Sequence, residues 1–254
     1  MESSRVPAMN PCRSQLAESE PATHGERIQR HETSPRPPPN HDASATPTSG
    51  ALYADSVATP STQVAALLLT GGASRRMGRD KSRIIIDGTT LARRNAALLE
   101  QVVTRAYEVG PGHSGLVATR EDPVGAGPLA AVVAGNQLLR ANGHRGAALV
   151  IACDLPFLDS SLLAFLAEYD APGTVVPVVD GRAQPLLARW GVRDLDEAQR
   201  RYERGLRSLR HVTDGDDVTL LDESAWCRAA SSRAFVDIDT PEDLARYGLT
   251  DTGR

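Results

Sequence analysis

The sequence predicts an α/β fold in which helices cover both faces of a mostly parallel sheet, as a three-layer sandwich. Short apolar runs, typical of buried strands, alternate along the chain with longer segments typical of helices. Such alternation favours parallel strands joined by helical crossovers. A glycine pair and a lone aspartate follow two of the apolar runs, and ligands bind where loops leave the carboxyl ends of such strands.

The first half of the folded region contains three predicted strands and two predicted helices. They are, in chain order, a strand at 64–69, a helix capped by Thr89 or Thr90, strands at 106–109 and 116–118, and a helix with Pro128 in its first turn.

The second half continues the alternation and ends on a helix. Its predicted elements are a strand at 147–152, a helix capped by Asp159 that runs to Tyr169, strands at 174–179 and 185–189, a polar helix at 194–204, a short strand at 234–238 and a helix start at Thr240.

Composition argues against several classes of protein. The formal net charge of -4 does not by itself support a nucleic-acid partner. The three cysteines lack metal-binding spacing and indicate reduced thiols. No apolar run approaches the roughly 20 residues that a membrane-spanning helix needs, and the first residues do not resemble a secretory signal. We therefore expect a cytoplasmic protein that binds neither nucleic acid nor a membrane.

Residues 1–60 differ from the rest of the chain and are predicted to form a disordered tail, followed by one domain at 61–250. The segment holds nine of the 17 prolines and no apolar periodicity, so it cannot bury enough surface to offset its ordering entropy. A functional tail and a start codon placed too far upstream are the two explanations that stay open.

A glycine-rich, basic segment follows the first predicted strand: Leu69-Thr-Gly-Gly-Ala-Ser-Arg-Arg-Met-Gly-Arg-Asp-Lys81, hereafter the signature loop. Its glycines let the backbone approach a ligand and turn N–H groups toward phosphate oxygens. Its positive charges, which suit a triphosphate and a departing pyrophosphate, belong to Arg75, Arg76, Arg79 and Lys81. The segment matches neither the GxxxxGK phosphate loop nor GxGxxG, so a solvated basic turn is the alternative.

The signature loop resembles the LxGGxSxRMGxDK motif of MobA-like nucleotidyltransferases, a family that includes molybdenum cofactor guanylyltransferase. The resemblance implies a Rossmann-like fold of the nucleotide-diphospho-sugar-transferase type and Mg2+-dependent transfer of a nucleoside monophosphate to a phosphate or similar acceptor. It also implies a set of nucleotide-binding residues, namely Leu69, Thr70, Gly71, Gly72 and Lys81. Thr70 is a departure, because alanine is usual there.

Further segments resemble family elements on the nucleotide side. Gly127-Pro-Leu-Ala-Ala131 resembles the GPLAG helix start, and Asp122 upstream resembles a nucleotide-contacting aspartate, although the gap between them is compressed. Cys153-Asp-Leu-Pro-Phe157 resembles the CDxPf segment, which implies that Asp154 binds the metal and the nucleotide. A carboxylate just beyond a buried strand can bind Mg2+ together with phosphates. An ordinary helix start and a turn or capping aspartate are the alternatives.

The acceptor side is less well matched. Phe235-Val-Asp-Ile-Asp-Thr-Pro-Glu-Asp-Leu244 resembles the family's closing segment, in which two asparagines are associated with the acceptor, but here they are Asp237 and Asp239. Gln184 and Arg207 lie in segments that resemble acceptor-pocket elements. A helix N-cap is the alternative for Asp239 or Thr240, and a solvated helix face is the alternative for Arg207. Gly110 stands where guanine-specific relatives can carry an asparagine, which leaves the base preference open.

Together these motifs imply transfer of GMP from GTP to the phosphate of molybdopterin, giving molybdopterin guanine dinucleotide and pyrophosphate without a covalent enzyme intermediate. Asp154 would hold Mg2+, and Lys81 with Arg76 would stabilise the leaving pyrophosphate. CTP or another small phosphorylated acceptor is one alternative, and a non-catalytic nucleotide-binding module is another. Transient contact with cofactor-delivering or acceptor proteins stays open.

Overall fold

The computed structural model describes residues 60–72 and 77–253, which belong to one compact unit. The predicted disordered tail, residues 1–60, lies almost wholly outside the described residues. Arg76 also lies outside them. The disorder of the tail and the role of Arg76 therefore stay predictions. Among the described residues, no helix is both long enough and apolar enough to cross a bilayer.

Within these residues, eight strands form a central sheet in the order β10-β7-β9-β6-β1-β4-β5, with β8 paired to β7, and a small hairpin of β2 and β3 lies apart. The bounds are Ala65–Leu69 (β1), Ile85–Ile86 (β2), Thr89–Thr90 (β3), Ala106–Val109 (β4), Val117–Thr119 (β5), Ala148–Ala152 (β6), Thr174–Val179 (β7), Arg182–Ala183 (β8), Leu187–Trp190 (β9) and Val218–Leu221 (β10). The neighbours β6, β1, β4 and β5 are parallel, whereas β9 runs antiparallel between β6 and β7.

Helices connect these strands. Their bounds are Leu91–Val102 (α1), Pro128–Ala141 (α2), Ser160–Glu168 (α3), Val192–Glu203 (α4), His211–Asp214 (α5), Glu223–Trp226 (α6) and Pro241–Arg246 (α7), with short 3-10 helices at Lys81–Arg83 and Ser232–Phe235. The predicted caps are confirmed, since Thr90 accepts from the Arg93 N–H and Asp159 from the Leu162 N–H.

Two apolar cores, one on each face of the sheet, make the fold a three-layer sandwich. Strand β1 has its alternate side chains in different cores: Ala66 and Leu68 pack on the face covered by α1 and α3, whereas Leu67 and Leu69 pack toward α2 and α4. All of β1 is buried, because a central parallel strand is covered on both sides. The predicted fold class is therefore confirmed.

One predicted element is wrong. Residues 234–238 do not form a strand: a 3-10 helix ends at Phe235, and the chain then crosses the carboxyl edge of β6. The segment looked like a strand because it contains apolar residues, and two of them, Ala234 and Ile238, are buried in the core although the segment is not a strand. The Ile238 N–H donates to the carbonyl of Asp154 (3.0 Å), which lies beyond β6.

Candidate active site

Lys81 and Asp154 meet at the carboxyl edge of the sheet, as the sequence predicts for two residues of one site. Lys81 begins the first 3-10 helix, and Asp154 lies two residues beyond β6. The Lys81 Nζ donates to Asp154 Oδ2 at 3.0 Å and also to Asp239 Oδ1. Burial opposes the charge of Lys81, but the hydrogen bonds and negative charges of Asp239 and Asp154 outweigh it and raise the Lys81 pKa. The lysine therefore stays an ammonium ion held between two carboxylates.

Backbone hydrogen bonds from three parts of the chain fix the turn that carries Asp154. The Cys153 N–H donates to the Leu69 carbonyl (3.1 Å), and the Ile238 N–H donates to the Asp154 carbonyl (3.0 Å). The amide of Asn95, buried on α1, donates to the Cys153 carbonyl (3.0 Å). Sequence reasoning missed Asn95, although a polar residue on the apolar face of a helix was a usable signal. Burial raises the Cys153 pKa, which fits packing rather than nucleophilic attack.

The closing segment brings Asp239 to the same centre. Thr240 is the N-cap of α7 and forms a capping box with Asp243, so the cap alternative holds for Thr240 and not for Asp239. The Asp239 N–H donates to Asp243 Oδ2 (3.0 Å), while the Asp239 carboxylate accepts from Lys81. Asp237 is exposed, yet loss of hydration around its carboxyl group and repulsion by Asp154 raise its pKa.

The first residues of the signature loop leave β1 beside β4. The Leu69 side chain packs in the core, and its carbonyl accepts the Cys153 N–H. The Thr70 and Gly71 N–H groups both donate to the Val109 carbonyl, at 3.0 and 3.2 Å, so the Gly71 N–H faces the sheet. The exposed Gly72 is therefore the better candidate of the two glycines for donating an N–H to a phosphate.

A single contact accounts for Thr70 and Gly110 together. The Thr70 hydroxyl donates to Glu108 Oε1, and a Cβ built on Gly110 would stand 2.0 Å from the Thr70 Oγ1. The threonine that replaces the usual alanine thus occupies the space that a side chain at position 110 would need. Base contacts from an asparagine at position 110 are consequently unavailable to this chain.

Glu121, which sequence reasoning missed, lies where an aspartate was expected. It is 6% exposed, and a Cβ built on Gly71 would lie 3.6 Å from each of its carboxylate oxygens. One of those oxygens accepts the Gly125 N–H at 2.9 Å. The neighbouring Asp122 is exposed, and its carbonyl accepts from the Tyr202 hydroxyl at 3.2 Å. The only sequence signal for Glu121 was its spacing from Gly127: it lies one residue farther upstream than Asp122, so its gap is less compressed.

The remaining predicted residues have their described contacts with groups other than Lys81, Asp154 and Asp239. Arg79 is partly exposed and pairs with Asp251, so its charge is engaged near the end of the chain. Arg207 is exposed, stacks on Tyr202 (4.2 Å to the ring centroid) and donates to backbone carbonyls of the same turn. Gln184 follows β8 at the carboxyl end of β7 and donates to the Arg182 carbonyl (3.2 Å). These contacts neither bring Arg207 to Lys81 nor assign either residue a ligand.

The carboxylates present suit a hard divalent cation. Asp154 offers oxygen ligands at an accessible edge of the sheet, with its side chain 26% exposed. Among the described residues, no group of three or more metal-ligating side chains forms a closed cage. Mg2+ in nucleotide enzymes is bound by one or two carboxylates together with phosphates and water, so this donor set fits it.

Comparison with known proteins agrees with the motifs. The family model described as the MobA-like NTP transferase domain matches residues 66–218. A probable molybdenum cofactor guanylyltransferase of Opitutus terrae is 37% identical over 155 residues, which cover 58% of this chain and 76% of the relative. The molybdenum cofactor guanylyltransferase of Rhodobacter capsulatus is 32% identical over 191 residues, covering 72% of this chain and 94% of the relative.

A solved structure agrees with the fold. The molybdopterin-guanine dinucleotide biosynthesis protein A of Archaeoglobus fulgidus superposes with a TM-score of 0.58 at 23% identity, covering 71% of this chain and 95% of that chain. At this identity the likeness concerns the fold alone.

Proposed function

Because this chain belongs to the MobA-like NTP transferase family, we propose that it transfers GMP from GTP to the phosphate of molybdopterin, forming molybdopterin guanine dinucleotide and pyrophosphate. The observation that carries the proposal is the meeting of Lys81 and Asp154 beside the signature loop, at the sheet edge where ligands bind in α/β folds. The names of the relatives support the guanylyl group and the molybdenum cofactor acceptor.

The residues of the site would act mainly by electrostatics and positioning. Asp154, joined by Asp239, would hold Mg2+, which when bound screens repulsion between two anionic substrates and polarises the α-phosphate. Lys81 keeps its positive charge at neutral pH and can stabilise the charge that builds on the departing pyrophosphate. The attacking phosphate is ionised at neutral pH, so the step requires no general base.

The orientation of the bound nucleotide follows from the places where its α-phosphate and its base would lie. The α-phosphate must lie near Asp154, beyond β6, so the base would lie toward β4 and β5, where Glu121 presents a buried carboxylate. A carboxylate accepts hydrogen bonds from the adjacent N1–H and N2–H groups of guanine, and cytosine has no such pair of donors. We therefore propose Glu121, in place of Asp122, as the residue that favours GTP.

The purified chain, incubated with Mg2+, molybdopterin and either GTP or CTP, is expected to form the guanine dinucleotide in preference to the cytosine one, as measured by mass spectrometry of the product. Robust cytidylation without guanylation would contradict the GTP assignment. Transfer of GMP to a different phosphorylated acceptor would contradict molybdopterin, and no pyrophosphate release with any acceptor would favour a non-catalytic module.

Two adjacent variants serve as test and control. Glu121→Gln replaces one acceptor oxygen by a donor and is expected to lower the ratio of GTP to CTP turnover by about 10-fold or more, since a mismatched polar group costs about 1–3 kcal/mol. Asp122→Asn is expected to leave that ratio unchanged, because Asp122 is exposed. A cytoplasmic location and contact with cofactor-delivering proteins stay predictions from the sequence.

A further inference from the structure

The loop between β4 and β5, residues 110–116, is bonded to both ends of the signature loop. Thr70 lies near the beginning of the signature loop, and Asp80 and Lys81 lie at its end. Each end reaches the β4–β5 loop through a different set of side-chain hydrogen bonds. One residue of that loop, His113, takes part in both connections, through its backbone N–H in one and its side chain in the other.

The first connection runs through the buried carboxylate of Glu108. Its oxygens accept the N–H groups of Gly112 (2.7 Å), His113 (3.0 Å) and Ser114 (2.7 Å), together with the hydroxyl of Thr70. Burial alone would raise the pKa of this carboxyl group, but the hydrogen bonds lower it, so the carboxylate stays ionised. Glu108 thus fastens the β4–β5 loop to the start of the signature loop.

The second connection runs through the imidazole of His113. Its Nδ1 lies 2.9 Å from Ser82 Oγ and 3.3 Å from Asp80 Oδ2. Ser82 is buried and donates both its N–H (2.9 Å) and its hydroxyl (2.7 Å) to Asp80 Oδ1, which caps the 3-10 helix that begins at Lys81. A carboxylate only accepts, and the hydroxyl hydrogen of Ser82 is already donated, so the Nδ1 of His113 must carry the proton.

We propose that His113 is a positioning residue that sets Lys81 relative to the triphosphate-binding start of the signature loop. The imidazole holds the Asp80–Ser82 turn, and the backbone of the same residue is bonded to Glu108 and through it to Thr70. The inference rests on the proposed function, since it assigns Lys81 to the leaving pyrophosphate. Loss of the imidazole would leave the carboxylates around Lys81 in place but free the turn that carries it.

The test compares His113→Ala with His113→Asn, whose side-chain nitrogen is attached at the same distance from the backbone as Nδ1. His113→Ala is expected to lower kcat for guanylyl transfer by about 10- to 100-fold, as small misplacements of catalytic groups do, with little change in the KM for molybdopterin. His113→Asn is expected to restore most of the rate. Thermal unfolding is used to check that both variants are folded.

Hydrogen exchange provides a readout that does not depend on turnover. The amide of Ser82 is expected to exchange faster in His113→Ala and to return toward the wild-type rate in His113→Asn, while the amides of α3 stay unchanged. An unchanged kcat in folded His113→Ala, or a folded His113→Asn that restores neither kcat nor exchange, would overturn the positioning role. Wild-type protein that transfers no nucleotide would instead overturn the proposed function, and the exchange experiment would still decide the contact.

Discussion

Gly110 and Thr70 are two departures from the family pattern that depend on each other. The Thr70 hydroxyl fills the space above Gly110 and donates to the buried Glu108. A substitution at either position therefore changes the environment of the other. Motif comparison alone treats the two positions separately, because they follow different strands and their contact is visible only once β1 and β4 are paired.

Gly110→Ala is expected to destabilise the protein by about 1–3 kcal/mol, because its Cβ would overlap Thr70 and the Gly71 N–H. Gly72→Ala is the matched control: Gly72 has nearly the same φ (+154° against +156°), but its Cβ would meet nothing within 4 Å. Chemical denaturation measures both variants. Equal losses would mean that backbone conformation, and not the Thr70 contact, requires glycine at position 110.

Side-chain direction limited what could be predicted at single residues. Lys81 and Asp154 were predicted to belong to one site, since each motif follows a strand at the carboxyl edge of the sheet, and the structure brings their side chains into contact. Glu121 and Asp122 are adjacent in sequence, and only the path of the loop after β5 decides that Glu121 is buried and Asp122 exposed. The acceptor-side role predicted for Asp239 stays a prediction, and the contact of its carboxylate with Lys81 was not visible from the sequence.

At the scale of elements, the β4–β5 loop depends on one carboxylate. Glu108 lies at a buried position of β4, and the three N–H groups it accepts belong to consecutive residues of the loop. The short strand predicted at 106–109 is confirmed as β4, but its sequence carried no sign that a charged residue inside the strand would organise the loop. The antiparallel direction of β9 was equally invisible, since strand patterning does not report direction.

Glu108→Gln is expected to reduce stability at about pH 7 by about 1–3 kcal/mol, since an amide cannot accept all four hydrogen bonds. Because the folded pKa of Glu108 lies below the usual 4.5, its contribution is present above that value and is lost as pH falls through the folded pKa. The difference from wild type should therefore shrink below about pH 4. Chemical denaturation at several pH values measures this stability difference, with Glu168→Gln, a change at an exposed position of α3, as control. A stability difference that does not change with pH would contradict the conclusion that Glu108 acts as an ionised carboxylate.

At the scale of the whole molecule, the site is assembled from segments far apart in sequence. The signature loop, the turn after β6 and the segment before α7 meet at one edge because β1 and β6 are neighbouring parallel strands and the closing segment is bonded to the turn after β6 and to Lys81. The alternation of strands and helices was sufficient to predict the parallel sheet and its carboxyl edge, where we propose the site. It could not predict the path of Ile238 and Asp239, whose N–H groups donate to the Asp154 carbonyl and to the Asp243 side chain on α7 instead of to a strand.

Guanylyl transfer by Asp154→Asn, assayed as pyrophosphate release from GTP with molybdopterin and Mg2+, tests directly whether Asp154 belongs to the catalytic site. Asp170→Asn, an exposed change between α3 and β7, is the matched control and should retain the wild-type rate. The site described here predicts that folded Asp154→Asn loses at least about 100-fold in kcat, because the carboxylate opposite Lys81 would no longer hold the metal. A folded Asp154→Asn variant with a rate close to wild type would contradict it.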